Sequence, residues 1–382
     1  MKNPARDSRM NTRDASSLKI GFFLPWLKGG GTEMATLRVL NELAERPETS
    51  VCLAVHQAGG TSPMPIHERV AVAYLGGSLL GLNGRYRQWL EEARPGVVFS
   101  AINHVNLVNV WSGRGRTCVI PTVHNHLGEK LRRTGKPGER LLKELSLRCV
   151  LPHADCVVGV SEDICRYLID TIGLDEVRTV FIPPPVRVAQ VRAQAKELAT
   201  FPESGDRPVL VASGRMVVQK GFDVLIRAMA LFERAERPAL WLLGDGELMA
   251  AHQQLTSELG LEADVVFLGR QANPFPYVQR ADCFVLPSRW EGFPLVLLEA
   301  IALGRPVVAN DCRSGPREIL ENGKWGILTP VNDSEALFVG IREALSRQWD
   351  CAALRERSEA FDVSRVAAQF YDVAVNTLLT KK

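Results

Sequence analysis

Three short segments carry residue types that could handle an anionic substrate. The first is Ser213-Gly214-Arg215-Met216-Val217-Val218-Gln219-Lys220-Gly221-Phe222-Asp223, set between an apolar run that reads as a strand and an amphipathic run that reads as a helix. Glycines free the backbone there, and Arg215 and Lys220 place two cations beside a helix N-terminus, an arrangement suited to a diphosphate. Standing alone, the segment could equally be a loop with surface charges.

The second segment is Leu286-Pro287-Ser288-Arg289-Trp290-Glu291-Gly292-Phe293-Pro294-Leu295-Val296-Leu297-Leu298-Glu299-Ala300. Pro294 suits the first turn of a helix, which leaves the amides of Leu295 and Val296 free to meet phosphate oxygens. Glu291 precedes the helix and Glu299 lies within it. Carboxylates beside a phosphate site make sense if they accept hydrogen bonds from ribose or sugar hydroxyls. The same two acids could equally be a helix-start and a helix-face residue. The third segment, Lys28-Gly29-Gly30-Gly31-Thr32-Glu33, follows the first strand and opens the first helix. Its glycines admit a ligand close to the backbone, and the helix end adds positive potential. It does not match G-x-G-x-x-G, so dinucleotide binding is poorly supported.

The elements that must position these segments alternate along the whole chain, the pattern of parallel sheets with crossover helices. Strands are expected at Leu18–Leu24, Ser50–Val55, Val70–Leu75, Val97–Ala101, Thr117–Val123 and Cys156–Val160 in the first half. In the second they are expected at Val209–Ala212, Leu240–Leu243, Val265–Leu268, Cys283–Leu286, Pro306–Ala309 and Gly326–Leu328. Between the halves lies Ile182-Pro183-Pro184-Pro185-Val186, which can be neither helix interior nor central strand, and the polar stretch Gln190–Arg207 extends the linker. The reading is a disordered tail over residues 1–17, an N-terminal domain over 18–187, and a C-terminal domain over 188–382 whose last helix can pack back on the first. Both domains are α/β, doubly wound and Rossmann-like. Ligands bind such sheets at the carboxyl ends of the strands, so the chemistry belongs in a cleft where two sets of those ends face each other.

Composition narrows the partners. The chain of 382 residues has 46% hydrophobic and 23% charged residues, ordinary for a globular protein, and no apolar run long enough to cross a membrane. None of the eight cysteines stands in a CxxC pair, and Cys52, Cys118, Cys156 and Cys283 sit in strand-like runs, as expected of reduced buried thiols in a cytoplasmic protein. Residues 1–187 hold 24 Lys+Arg against 18 Asp+Glu, and residues 188–382 hold 22 against 25, so the first half is the one to meet an anionic surface. Basic residues are not interleaved with aromatics, so no nucleic-acid partner is expected. No Asp-x-Asp occurs, and cations with helix amides replace the carboxylates a magnesium-bridged donor would need, so no metal or other cofactor is expected.

Together, in order and spacing, the three segments resemble the family-4 retaining glycosyltransferases (glycosyl transferases group 1), over roughly Ile20 to Asp333. Ala154–Glu162, Leu243-Gly244-Asp245-Gly246-Glu247, Gly304–Ala309 and Asn322–Pro330 are similar to the same family. The resemblance implies the GT-B fold and transfer of a sugar from a nucleotide diphosphate donor, uridine diphosphate being the commonest, to a glycan or polyprenyl-diphosphate-linked acceptor in bacterial polysaccharide or glycolipid synthesis. It implies that Arg215 and Lys220 stabilise the leaving diphosphate, that Glu291 faces the donor sugar, and that Glu299 binds ribose. His124, in Thr122-Val123-His124-Asn125-His126 at a strand end, would lie near the transferred sugar, or be structural. Gly30 and Gly31 would close on the phosphates, and Gly214, Ser288, Gly292, Phe293, Leu295 and Val296 complete the donor-binding set. Where many members carry an asparagine before a proline near the domain boundary, this chain has Ile182-Pro183. Alternatives on the same fold are a sugar-nucleotide epimerase and a non-catalytic nucleotide-sugar-binding subunit.

The basic segment Gly128–Arg148 holds Lys130, Arg132, Arg133, Lys136, Arg140, Lys143 and Arg148 against Glu129, Glu139 and Glu144. With Leu141, Leu142, Leu145 and Leu147 on the following helix, it could hold the N-domain on an anionic inner-membrane face, or be a solvated loop before a core helix.

Overall fold

The computed structural model describes residues 17–28, 30–59, 64–124 and 139–381. Two wholly parallel sheets organise them. The first contains β1 (Leu18–Leu24), β2 (Thr49–Val55), β3 (Ala71–Tyr74), β4 (Val97–Ala101), β5 (Cys118–Val123), β6 (Val157–Gly159) and β7 (Thr179–Phe181), in the order β3-β2-β1-β4-β5-β6-β7. The second contains β8 (Val209–Ser213), β9 (Ala239–Leu243), β10 (Val265–Gly269), β11 (Cys283–Leu286), β12 (Val307–Asn310) and β13 (Ile327–Thr329), in the order β10-β9-β8-β11-β12-β13. Strand order reverses between β1 and β4 and again between β8 and β11. Crevices open at such switch points, and the three sequence segments follow β1, β8 and β11.

Burial explains why these runs are strands. β4 and β5 are buried at every position and β1 at Ile20, Phe22, Phe23 and Leu24, as sheets covered on both faces require. The helix Gly31–Glu45 lays Leu37, Leu40 and Leu43 on the first sheet, at 0% exposure each. Phe22 stacks on Phe99 at 5.6 Å between ring centroids, and Phe99 meets Phe370 edge-on at 5.0 Å. That last contact brings the final helix, Val363–Thr380, onto the first sheet. The return crossing is held where the amide of Val186 donates to Phe361 O at 2.9 Å and that of Val363 donates to Val186 O at 3.0 Å.

Some expectations differ from the observed elements. β7 is a strand the sequence reading lacks; its three residues directly precede the prolines and give no periodicity to read. The stretch read as linker begins inside a packed helix, Val188–Gln194, whose Val188 and Val191 are buried. All eight cysteines are free, but Cys149 is exposed rather than buried. Most of the basic loop, together with Asn125 and His126, lies outside the described residues. Among the described residues no helix is long and apolar enough to cross a membrane.

Candidate active site

The loops after β8 and β11 are tied into one unit. The amide of Arg289 donates to Gln219 O at 2.8 Å, and the Gln219 amide side chain donates to Trp290 O at 2.8 Å. Arg289 forks onto Asp223 at 2.9 and 2.7 Å. Burial alone would raise the Asp223 carboxyl, but the Arg289 guanidinium outweighs it and holds that carboxyl below its usual range. Gly221, at φ +64°, faces Pro287 so closely that a Cβ would stand under 3.0 Å from its carbonyl oxygen. Only glycine allows this approach.

Within this unit Lys220 Nζ donates to Glu291 Oε1 at 2.6 Å, and the Ser288 hydroxyl donates to the same oxygen at 2.6 Å. Ser288 and Glu291 are 0% and 7% exposed. Gly214 leaves room for the lysine stem, since a Cβ there would meet Lys220 Cδ at 3.3 Å. The structure therefore brings together four of the residues singled out from sequence: Gly214, Lys220, Ser288 and Glu291. The helix after Glu291 runs Leu295–Ala302 with Pro294 immediately before it rather than in its first turn, and no side chain caps it. Its first amides remain open to an external acceptor.

A cleft of about 550 Å³ separates the two sheets, lined by Lys28, Gly30 and Gly31 on one side and Gly214, Arg215, Asp245 and Arg270 on the other. Lys28, Arg215 and Arg270 are exposed, and among the described residues none forms an ion pair. Asp245 is the one acid of that lining. Three exposed cations against one acid leave the cleft net positive, an electrostatic environment suited to an anionic ligand. Arg270 was missed in the sequence, and Asp245 was quoted there only within a segment similar to the family and given no site role, although the strand-end rule finds both: Arg270 directly follows β10 and Asp245 lies two residues beyond β9.

Other candidates are placed differently. Glu299 does not line the cleft but pairs with Arg38 of the first helix, 3.7 Å away, and Arg38 also donates to Pro185 O at 2.9 Å. Burial pushes the Glu299 carboxyl up from its ordinary value, and Arg38 opposes the shift. The Phe293 ring meets Phe181 at 6.4 Å and Phe361 at 5.8 Å, and neither it nor Gly292 lines the cleft. His124 lines a separate, small cavity with Phe22, Thr36, Thr122 and Pro183–Pro185. Its Nε2 and the Thr122 hydroxyl are 2.9 Å apart, and burial pushes its pKa down to about 4, so the ring is neutral at physiological pH.

Two doubly wound halves, their strand ends meeting across a cationic cleft, define the GT-B architecture. The family profile of glycosyl transferases group 1 matches residues 194–361, and that of glycosyltransferase family 4 matches residues 29–190. The chain belongs to the family-4 glycosyltransferases. It is 38% identical over 152 residues to an uncharacterized glycosyltransferase of Methanocaldococcus jannaschii, covering 36% of this chain and 37% of that one. It is 30% identical over 230 residues to the lipopolysaccharide core biosynthesis glycosyltransferase LpsE of Rhizobium meliloti, covering 60% of this chain and 65% of that one. The chain thus spans about a third to two thirds of the length of these relatives. HepE of Anabaena in complex with UDP superimposes with a TM-score of 0.76 at 19% identity, over 94% of this chain and 100% of that one.

Proposed function

We propose that the chain is a retaining glycosyltransferase that binds a nucleoside diphosphate sugar in the cleft and transfers the sugar to a glycan or lipid-linked acceptor held by the first domain. The observation that carries this reading is the trio of cations, Lys28, Arg215 and Arg270, that line one cleft and form no ion pair among the described residues. In this reading Arg215 and Lys220 take the charge that develops on the departing diphosphate, and the amides of Leu295 and Val296 meet its oxygens. Glu291 accepts hydrogen bonds from the donor sugar while keeping Lys220 in place. Glu299 accepts from the ribose, sharing its charge with Arg38.

The acceptor hydroxyl oxygen bonds to the anomeric carbon as the bond from that carbon to the phosphate oxygen breaks. Both events occur on one face of the sugar, and the leaving oxygen takes the hydroxyl proton. No protein nucleophile is needed, and guanidinium, ammonium and amide groups do what a divalent ion would otherwise do. His124, neutral and beside Thr122 in its own cavity, takes the structural role in this reading. Uridine diphosphate is the favoured donor nucleotide, supported by the fold shared with a UDP-bound neighbour. The exposed Leu141, Leu142 and Leu145 on the helix Glu139–Val150, beside the basic loop, support peripheral docking on an anionic membrane.

The test is nucleotide release from a panel of UDP- and GDP-sugars in excess EDTA. Wild type should release one nucleotide, and Arg215→Ala and Lys220→Ala should each lose on the order of 10²–10³ in rate; Arg215→Ala should keep its melting temperature, whereas Lys220→Ala should melt lower because it leaves the buried Glu291 without its cation. Activity within a few-fold of wild type in both variants would refute the assignment.

A further inference from the structure

A second group of side chains sits at the switch point of the first sheet, on the carboxyl ends of the neighbouring strands β2, β1 and β4. Trp26 lies two residues beyond β1, His56 directly follows β2, and His104 lies three residues beyond β4. Their rings converge. The centroids of Trp26 and His104 are 5.9 Å apart at 36°, and those of His56 and His104 are 5.8 Å apart at 66°. Lys28 places its ammonium 5.3 Å from the Trp26 ring centre and also lines the donor cleft, so the two sites are contiguous.

Three features of this group are unfavourable for stability alone. His56 is 1% exposed, and neither of its ring nitrogens has a hydrogen-bond partner. Orphaned polar groups of that kind are rare in native cores and call for an explanation. Ile102, a β-branched residue, is held at φ +80°, a conformation that persists only where its surroundings enforce it. It introduces the helix Asn103–Gly113, which no side chain caps. Strain and unmet hydrogen bonding gathered at one strand-end crevice mark a place built for a ligand.

We propose that Trp26, His104 and His56 form a subsite for one pyranose ring of the acceptor, next to the donor cleft. The proposal rests on the transferase reading above and deepens it. A sugar ring presents an apolar face of C–H groups and an equatorial rim of hydroxyls. The half-buried Trp26 indole takes the face, and the imidazoles take the hydroxyls through their ring nitrogens. His56 is buried with its ring centroid 5.8 Å from that of the more accessible His104, so a hydroxyl meets His104 first. Burial, and then the neighbouring His56, hold the His104 pKa below its ordinary value, which keeps its acceptor nitrogen available at neutral pH.

The experiment is saturation-transfer difference NMR with methyl α- and β-glycosides of glucose, galactose and N-acetylglucosamine, each recorded with UDP present. With wild type, the ring C–H protons of at least one glycoside should show saturation. The signal should fall at least about fivefold in Trp26→Ala and in His104→Ala, and be kept in Trp26→Phe. Trp111→Ala removes an indole that is 66% exposed further along the same helix, and it should leave the signal intact. His56→Leu should weaken the glycoside signal while raising Tm by about 2–6 °C, because it removes an unpaired buried polar ring. A glycoside signal absent from wild type, unchanged in Trp26→Ala, or abolished by Trp111→Ala overturns the subsite. So does a His56→Leu protein that is less stable than wild type and binds the glycoside as well. The UDP signal from wild type separately judges the donor reading, so the two failures are distinguishable.

Discussion

Replacing Gly221 by alanine tests whether the two donor-side loops act as one unit. Gly221 and Gly260 have nearly the same backbone conformation, φ +64° and +65°, so alanine pays a similar conformational cost at each, on the order of 1–2 kcal/mol. Their surroundings differ. A Cβ at Gly260 meets nothing within 4 Å, whereas one at Gly221 runs into the Pro287 carbonyl. That oxygen is backbone, directly beyond β11, and accepts a hydrogen bond from the Asn310 side-chain amide at 2.8 Å, so it moves only with its loop. Overpacking of this kind adds about 1–3 kcal/mol, so Gly221→Ala should cost roughly 2–5 kcal/mol and Gly260→Ala only the first part. At 2–4 °C per kcal/mol for a domain of this size, the expected Tm losses are roughly 4–20 °C and 2–8 °C. The strain at Gly221 is relieved by moving the loop that carries Ser288 and Glu291. Calorimetric titration with UDP should therefore show at least about tenfold weaker binding for Gly221→Ala and none for Gly260→Ala. Equal Tm losses with equal UDP affinity in the two variants would refute the reasoning.

Three further outcomes are expected. Glu291→Gln removes the anion that neutralises Lys220 at 2.6 Å; UDP should bind as well as or better than to wild type in calorimetry, while transfer falls on the order of 10²-fold. His124 titrates near 6.5 when unfolded and near 4 when folded, so the unfolded chain binds more protons between those values. The stability it contributes is present above pH 6.5 and lost as pH falls towards 4. Urea denaturation of wild type and His124→Asn at pH 7 and pH 5 should show a difference of roughly 2 kcal/mol in how much stability each loses. For the membrane face, flotation with anionic liposomes should be salt-sensitive in wild type and reduced by Arg132→Glu, Arg133→Glu and Lys136→Glu together; identical flotation of both proteins would remove that face.

Much of the fold was legible because parallel strands buried on both faces read as plain apolar runs, and β4 and β11 begin and end where those runs do. β7 was not legible, because three residues beside prolines carry no period. For the site, local chain chemistry pointed to Lys220, Ser288 and Glu291, each within a loop whose glycines and cations stand close in sequence. Arg38 beside Glu299 was invisible for the opposite reason: it faces outward from a helix and meets its partner only when the two sheets come together. His56 and His104 were equally hidden, since single histidines at strand ends gain meaning only when three strand order numbers, β2, β1 and β4, become neighbours.

The most direct test of the donor site is calorimetric titration of the wild-type protein and Arg215→Ala with UDP, both in EDTA. Arg215 lies exposed in the cleft without an ion-pair partner among the described residues, so its removal should leave Tm unchanged and cost one charge-assisted contact. Such a contact is worth about 1.5–3 kcal/mol, so the account predicts metal-free UDP binding in wild type and a roughly 10- to 150-fold weaker affinity in the variant. UDP binding that requires a divalent ion, or that is equally tight without Arg215, would contradict it.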